Sequence, residues 1–441
     1  MKVLIVGHKR LVDEIQPILF RLNPRIDHAN DKKSYALALK RAPDVIILDA
    51  DSRASWADTM RFLRAAGPYK KNTIVICSAR HFSNLTAASR LGAHDVVIRP
   101  YNHRELILRV NSVVCRKVRI ACIGGGTGLF TLLLGLKSIP KAILTSIVNM
   151  SDDGGSSGKL TQSFGVLPPG DIRRSLVALS NAPEVMNEIL QYRFDKGAGL
   201  SGHSFGNIFL TVLAQVKGSM SEAVRALSDI LNIQGIVFPA TTTMTSLIAR
   251  FADGSVVKGE SKIDLCWKRD PDLRLTKLSH TPTPQGFPDA VAAILHSDIV
   301  TIGPGDLFTS VLSNLSIKEI RDAVAQTRAK KIYICNLMTK PGETAHFDVA
   351  DHVAQIRKCL GRDALDMILV SNSPLSRKAL TDYAKKRQEP VALKRVGSLR
   401  KLTRAQVLVA DIGHAEELVR HDSAKLKDLI EKIIHSLPNR L

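Results

Sequence analysis

Short aliphatic runs alternate with longer amphipathic stretches along most of the chain. In the first quarter the apolar runs fall at 3–6, 45–48, 73–77 and 96–98, each the length of one buried strand. Between them, apolar residues recur at helical spacing over 11–22, 35–39, 56–63, 82–91 and 105–113. Strands with no polar face, alternating with helices, predict a parallel sheet covered on both sides. The pattern restarts at Val118 with the strand VRIACIG, followed by AILTSIVNM, DIVTIG, KIYICN and VLVAD, with helical stretches between. Around 247–264 the period changes. Alternation on both sides of Asp253-Gly254 predicts a β-hairpin that forms an arm or lid beside the sheet. GFPDAVAAILHS predicts a packing helix, and KLKDLIEKIIHSL a closing one. Two α/β domains are expected, 1–117 and 118–441. They meet at Cys115-Arg116-Lys117 with no Gly-, Ser- or Pro-rich linker, so close packing is expected.

Length agrees, since 441 residues exceed one typical core. No run of 18 apolar residues occurs, so no membrane span is expected, and MKVLIVGHKR reads as a strand rather than a signal peptide. Six scattered cysteines without a CxxC pair give no zinc framework and fit a reducing cytoplasm. Net charge is +21, and residues 1–117 carry 21 Lys and Arg against 10 Asp and Glu, a local excess of +11. Such a surface can attract anions, but no basic motif interleaved with aromatics supports nucleic-acid readout, so nucleic acid is not an expected partner.

Functional groups of parallel sheets gather at the carboxyl ends of strands. In the first domain these ends are Asp49, Ser78 and Arg99-Pro100. The trio resembles a response-regulator receiver domain, whose aspartate accepts phosphate, and implies a flavodoxin-like βα fold. Receivers also hold Mg²⁺ on an acidic pair after the first strand, because phosphoryl transfer between anions needs charge neutralisation. Here that strand ends in Gly7-His8-Lys9, Arg99 stands in the lysine position, and Asp51 and Asp13 are the nearest spare carboxylates. The expectation is a receiver-like docking or regulatory module for a protein partner; phosphorylation at Asp49 is the alternative.

In the second domain VRIACIG runs into Gly124, Gly125, Gly126, Thr127 and Gly128 and then an apolar helix. Glycines at a strand-to-helix turn let a ligand approach backbone N–H groups that attract phosphate. Leu129 replaces the last glycine of a dinucleotide fingerprint, and no P-loop is present. The next strand ends in Ser151-Asp152-Asp153-Gly154, whose paired carboxylates suit Mg²⁺ or sugar hydroxyls. Asp171 and Arg173 follow at a helix start, and His203 and Asn207 at another. Gly303-Pro304-Gly305-Asp306 repeats the strand-to-glycine turn, and Asn336 ends a further strand. Four strand ends carrying such groups predict one polar ligand site at one sheet edge.

With these motifs in order, residues 118 to about 436 resemble the gluconeogenesis-factor (YvcK) family, relatives of the 2-phospho-L-lactate transferase (CofD) fold. The matching signatures are GGGTGL, DDGGSSG, PPGDIR, QYRF, GHSFGN, DGSVVKGES, GPGDLFTS, MTKPGET and RHDSAKL. The resemblance implies a Rossmann-like CofD-type sheet and a cytoplasmic protein. It also implies binding of a nucleotide sugar of the UDP-N-acetylglucosamine kind, and a link between carbon metabolism and cell-wall synthesis or cell shape. Asp306 stands where the family usually has serine, Phe308 where it has tyrosine, Ser313 where it has proline and Lys340 where it has glutamine. These departures bear on ligand identity more than on fold: a carboxylate at 306 repels a diphosphate unless a metal or Lys340 offsets it.

Two functions follow as expectations. One is a non-catalytic nucleotide-sugar-binding regulator, with the diphosphate on the glycine turn and the sugar or ribose on Asp152 or Asp153. The other is a CofD-like transferase, with Mg²⁺ on Asp152 and Asp153, Asp171 or His203 as base, and Arg173 neutralising charge. Few aromatics are present to stack a deazaflavin, which leans against that acceptor. A homo-oligomer is expected.

Overall fold

The computed structural model describes residues 1–52, 56–268, 270–414 and 418–437. The first sheet comprises β1 (Lys2–Val6), β2 (Arg25–Ala29), β3 (Val45–Asp49), β4 (Thr73–Ser78) and β5 (Asp95–Arg99). All pairings are parallel, in the order β2-β1-β3-β4-β5, which is the flavodoxin-like arrangement. The strand of this sheet that the apolar pattern did not reveal is β2, RIDHA, an edge strand with a single buried residue; in the second sheet Ile236–Pro239 and Met367–Ser371 were likewise not expected. Its neighbour β3, VIILD, is buried throughout.

The second sheet comprises β6 (Val118–Gly124), β7 (Ala142–Val148), β8 (Ile236–Pro239), β12 (Ile299–Ile302), β13 (Lys330–Ile334), β14 (Met367–Ser371) and β15 (Gln406–Ala410). The intervening strands β9 (Ser246–Phe251), β10 (Val256–Lys258) and β11 (Leu275–Thr281) form a separate antiparallel sheet. The alternation around Asp253-Gly254 thus forms the expected hairpin, and β11 completes it. The seven main strands are parallel, ordered β15-β14-β13-β12-β6-β7-β8. From β6 the chain builds outward one way through β7 and β8, then returns to β6's other edge with β12 and builds the other way. That reversal creates a crevice between the carboxyl ends of β6 and β12, where open α/β sheets bind ligands.

One face of the large sheet is covered by helices Gly126–Leu136, Gly170–Leu179, Met220–Ile230 and Ser423–His435. The other face shares its apolar core with the first unit. Helix Pro288–His296 mediates this: six of its apolar or small positions are buried, and it packs on β5 and on helix Leu85–Arg90. Ser89 Oγ donates to the Leu295 carbonyl at 3.0 Å. Arg119 grips Asp298 through Nε and Nη2 at 3.1 and 2.9 Å, and its Nη1 donates to the His94 carbonyl. No helix among the described residues is long and apolar enough to cross a membrane.

Candidate functional site

The site is built on the starts of four helices. Helix Gly126–Leu136 follows β6, Gly155–Phe164 follows β7, and Gly170–Leu179 and Phe205–Lys217 lie further along, with Glu184–Gln191 between them. Their first turns touch in series. Gly126 N–H donates to Asp171 Oδ2 at 2.9 Å, and Arg174 Nη1 holds Asp171 Oδ1 at 3.1 Å. A Cβ on Gly170 would fall 2.4 Å from Ser157 Oγ and 2.9 Å from Asp152 Oδ2, so these groups crowd together. Ser156 Oγ pairs with His203 Nδ1 at 3.1 Å and accepts from Ser204 N–H at 3.2 Å. Asn207 Nδ2 reaches Ser157 Oγ at 3.5 Å. A helix start carries N–H groups without intrahelical partners and about half a positive charge; here Asp171 takes the N–H of Gly126 and Ser156 that of Ser204.

Gly128 answers to packing. A Cβ there would lie 2.7 Å from the carbonyl of Pro304 and 2.9 Å from Gly305 N. The helix start and the Gly303–Asp306 turn therefore meet backbone to backbone, with Gly303 and Gly305 at φ of +76° and +156°. Gly124's carbonyl accepts from Asn314 Nδ2 at 3.1 Å, Asn336 Nδ2 donates to the Gly305 carbonyl at 2.8 Å, and Thr127 is exposed at the rim.

The paired aspartates part company. Asp152 Oδ1 accepts from Gly154 N–H at 3.0 Å, whereas Asp153 Oδ1 accepts from Ser261 N–H at 2.7 Å and so ties down the hairpin arm. The preceding residue of the arm, Glu260, reaches inward, its Oε2 accepting from Asn149 Nδ2 and Ser151 Oγ, both at 3.2 Å. Burial, then Asp152, Asp171 and Asp264, push the Glu260 carboxyl well above the usual carboxylate range. Asp171 is pushed up as well, by burial and Asp152, against the pull of Arg174 and the Gly126 bond. Arg173 is buried and pushed down to about 10 by burial, Arg174 and Arg193; its Nε holds Asn207 Oδ1 at 2.9 Å.

Asp306 is offset by Lys340. Lys340 Nζ lies 2.7 Å from Asp306, 2.8 Å from Asp264 and 2.7 Å from Glu343. Burial opposes the ammonium's charge, but the three carboxyls outweigh it and hold Lys340 protonated. The buried Glu343 is itself pushed up to about 8.

The structure thus brings Gly124, Gly125, Gly126, Gly128, Asp152, Asp171, Gly303, Gly305, Asp306 and Asn336 around the crevice. Arg173, His203 and Asn207 form its wall on the far side of Asp152, and Gly154 caps a helix there. Sequence reasoning missed Glu260, Asp264, Glu343, Ser156 and Ser157. The one signal for Glu260 was its place at the end of the hairpin predicted to lie beside the sheet.

Asp49 belongs to a separate constellation in the first unit. Arg99 Nη1 bridges Asp49 Oδ1 at 3.0 Å and Asp51 Oδ2 at 2.8 Å, and Ser78 Oγ donates to Asp51 Oδ1 at 2.8 Å. Asp51 therefore joins the pocket, while Asp13 stays on the exposed side of the first helix. Among the described residues no three His, Cys, Asp or Glu are arranged to hold a metal ion, in either unit.

The family profile described as 2-phospho-L-lactate transferase CofD matches residues 120–412. A Nostoc sp. relative is 43% identical over 349 residues, spanning 78% of this chain and 75% of that protein. The gluconeogenesis factor of Bacillus subtilis is 38% identical over 324 residues, spanning 72% of this chain and 99% of its own length. The crystal structure of a UPF0052 family member from Bacillus halodurans superposes with a TM-score of 0.67 at 37% identity, covering 71% of this chain and 99% of that one. By extent and identity of these matches, the chain belongs to the gluconeogenesis-factor family, within the CofD-type fold.

Proposed function

We propose that the chain binds a nucleotide sugar of the UDP-N-acetylglucosamine kind in the crevice between β6 and β12, and acts as a non-catalytic regulator. The observation that carries this reading is the meeting of four helix starts at a topological switch point, a place suited to a diphosphate. Carboxyls at its margin, Asp152 and Glu260, supply acceptors for hydroxyls. The relatives' name supports a link to carbon metabolism; the tie to cell-wall synthesis and cell shape, and a cytoplasmic location, complete the proposal. The basic first unit would dock a regulatory protein partner.

The second reading is a CofD-like transferase using Mg²⁺. Mg²⁺ keeps most of its waters and takes one or two carboxylates plus substrate phosphates. Asp152 fits that role, with Asp171 and Glu260 adding negative charge, whereas Asp153 is spent on Ser261. The cation would neutralise charge in the transferred phosphate group. The candidate bases favour the first reading, because Asp171 is held by Gly126 and Arg174 and His203 by Ser156.

Calorimetry and thermal melting against UDP-N-acetylglucosamine, GDP and NAD, with and without Mg²⁺, test both. A nucleotide sugar is expected to raise the melting temperature by mass action, with no turnover. Turnover with an acceptor present would install the transferase reading. Absence of binding by any of these nucleotides at millimolar concentration would remove both.

A further inference from the structure

The positive charge of the chain is gathered in two stretches. Residues 357–404 hold 13 Lys and Arg against four Asp and Glu, a local excess of +9, beside the +11 of residues 1–117. Together they account for nearly all of the +21. The two stretches meet at a groove between the units that holds about 370 Å³. Arg90 lines it from the first unit, and Gln326, Thr327, Lys331, Arg362 and Asp366 from the second. The groove lies at the amino ends of β13 and β14, the opposite end of those strands from the ligand crevice. Its volume is that of a small-molecule site.

The carboxylates here are already engaged. Asp366 Oδ2 accepts from Lys331 N–H at 2.8 Å and holds its Nζ at 3.0 Å. Asp363 accepts from Thr403 Oγ1 at 2.7 Å and Arg404 N–H at 2.9 Å. On the adjoining helix Lys318–Gln326, Asp322 pairs with Lys318 and Arg321. Lys331 Nζ also donates to the carbonyls of Thr327 and Ala329, at 3.5 and 2.8 Å, and so offsets the negative carboxyl end of that helix. The guanidiniums are what is left. Arg90 Nη2 makes one long bond, to Gln326 Oε1 at 3.4 Å, and beside it Arg328 Nη2 reaches the Arg90 carbonyl at 3.5 Å. Among the described residues neither these two nor Arg362 pairs with a carboxylate. Like charges gathered at one concavity favour an anion there. The planar fork of arginine matches phosphate oxygens two at a time. Among the described residues no aromatic side chain lines the groove, so nothing there would stack a nucleobase. We propose that this groove binds a small soluble anion carrying two or more phosphate groups, with Arg90 on one side and Arg362 on the other, so that the ligand fastens the two units together. The inference does not rest on the nucleotide-sugar reading of the crevice.

Calorimetric titration of the full chain with inorganic pyrophosphate tests this, at about 0.15 M salt, which screens exposed charges more than about 8 Å apart. The wild type is expected to bind. Arg90→Gln with Arg362→Gln is expected to weaken binding about tenfold or more, because two charge-assisted contacts are lost. Both positions are solvent-exposed, so the melting temperature without pyrophosphate should show the double variant folded. Lys32→Gln with Lys40→Gln removes the same charge at exposed positions of the first unit outside the groove, and should leave binding intact. Three outcomes overturn the proposal: no binding at millimolar pyrophosphate; a double variant that binds like the wild type, as it would if pyrophosphate sat in the crevice; or an equal loss in the lysine control, which would mark diffuse attraction to the basic surface.

Discussion

Gly126 and Gly128 stand two residues apart in one turn and answer to different constraints. Gly126 has φ of +62°, but its nearest foreign atom to a Cβ is Arg174 Nη1 at 3.9 Å. Gly126→Ala therefore costs only the left-handed backbone, about 1 kcal/mol. At Gly128 the obstacle is backbone of the 303–306 turn, which cannot swing aside like a side chain. Gly128→Ala should cost about 2–3 kcal/mol by overpacking and pry the helix start off the turn. Urea midpoints of the two variants check this, with nucleotide-sugar affinity falling further for Gly128→Ala. Equal midpoints would show that backbone conformation, not contact, governs the turn. The glycines were legible in the sequence as a strand-to-helix turn. Which of them serves a ligand and which serves packing was not, because the partner, Pro304, lies 176 positions away in the chain.

The hairpin arm reaches the crevice through helix Glu260–Asp264, which is held at three points: Asp153 on Ser261 N–H, Asn149 and Ser151 on Glu260, and Lys340 on Asp264. Asp264 and Asp306 keep 40% and 46% of their side-chain exposure, so water screens them when Lys340 is removed, and Glu343 can take up a proton. Lys340→Met should thus cost about 1–2 kcal/mol, less than breaking a fully buried pair. Its clearer sign should be faster amide exchange over 256–264, deepened by adding Asp153→Ala. Unchanged exchange there in the double variant would mean that the arm is held by its apolar contacts alone. The same element shows where sequence reasoning stops. Period-two alternation around Asp253-Gly254 revealed the hairpin, because one face is buried against the body. The β2 strand escaped notice because an edge strand with one buried residue leaves no apolar signature. The carboxyls that the arm carries into the site were hidden for a related reason: a polar residue pointing inward looks, in sequence, like one facing water.

The two units meet over a seam rich in buried charge, and the seam sets how the whole molecule responds to pH. Asp95 is fully buried with Arg109, Nη1 lying 2.8 Å from each carboxylate oxygen. His94 and His296 are pushed down to about 3 and 4, by burial first, with Arg119 acting on both, Arg109 on His296, and Asp95 opposing. Asp289 is pushed up to about 8, by burial and then Glu105, against Arg225 and Arg109. The signs follow. A depressed histidine contributes stability present above its unfolded pKa near 6.5 and lost as pH falls toward 4 and 3. A raised carboxyl contributes stability complete below its unfolded pKa near 3.8 and lost as pH rises through about 8. Between pH 4 and 6.5 the unfolded chain binds two histidine protons while the folded one binds a single Asp289 proton, so these groups make stability rise with pH. Above 6.5, of these junction groups Asp289 alone still titrates, lowering stability by about 2 kcal/mol at most between pH 6.5 and 8, alongside Glu343, which is also pushed up to about 8. Melting temperature against pH should therefore peak near 6.5 in the wild type. In Asp289→Asn the alkaline decline should lessen and the rise below 6.5 should steepen, since the amide does not ionise and no longer offsets a histidine proton. An alkaline decline of unchanged slope in Asp289→Asn would place the titrating group elsewhere than at the junction of the two units.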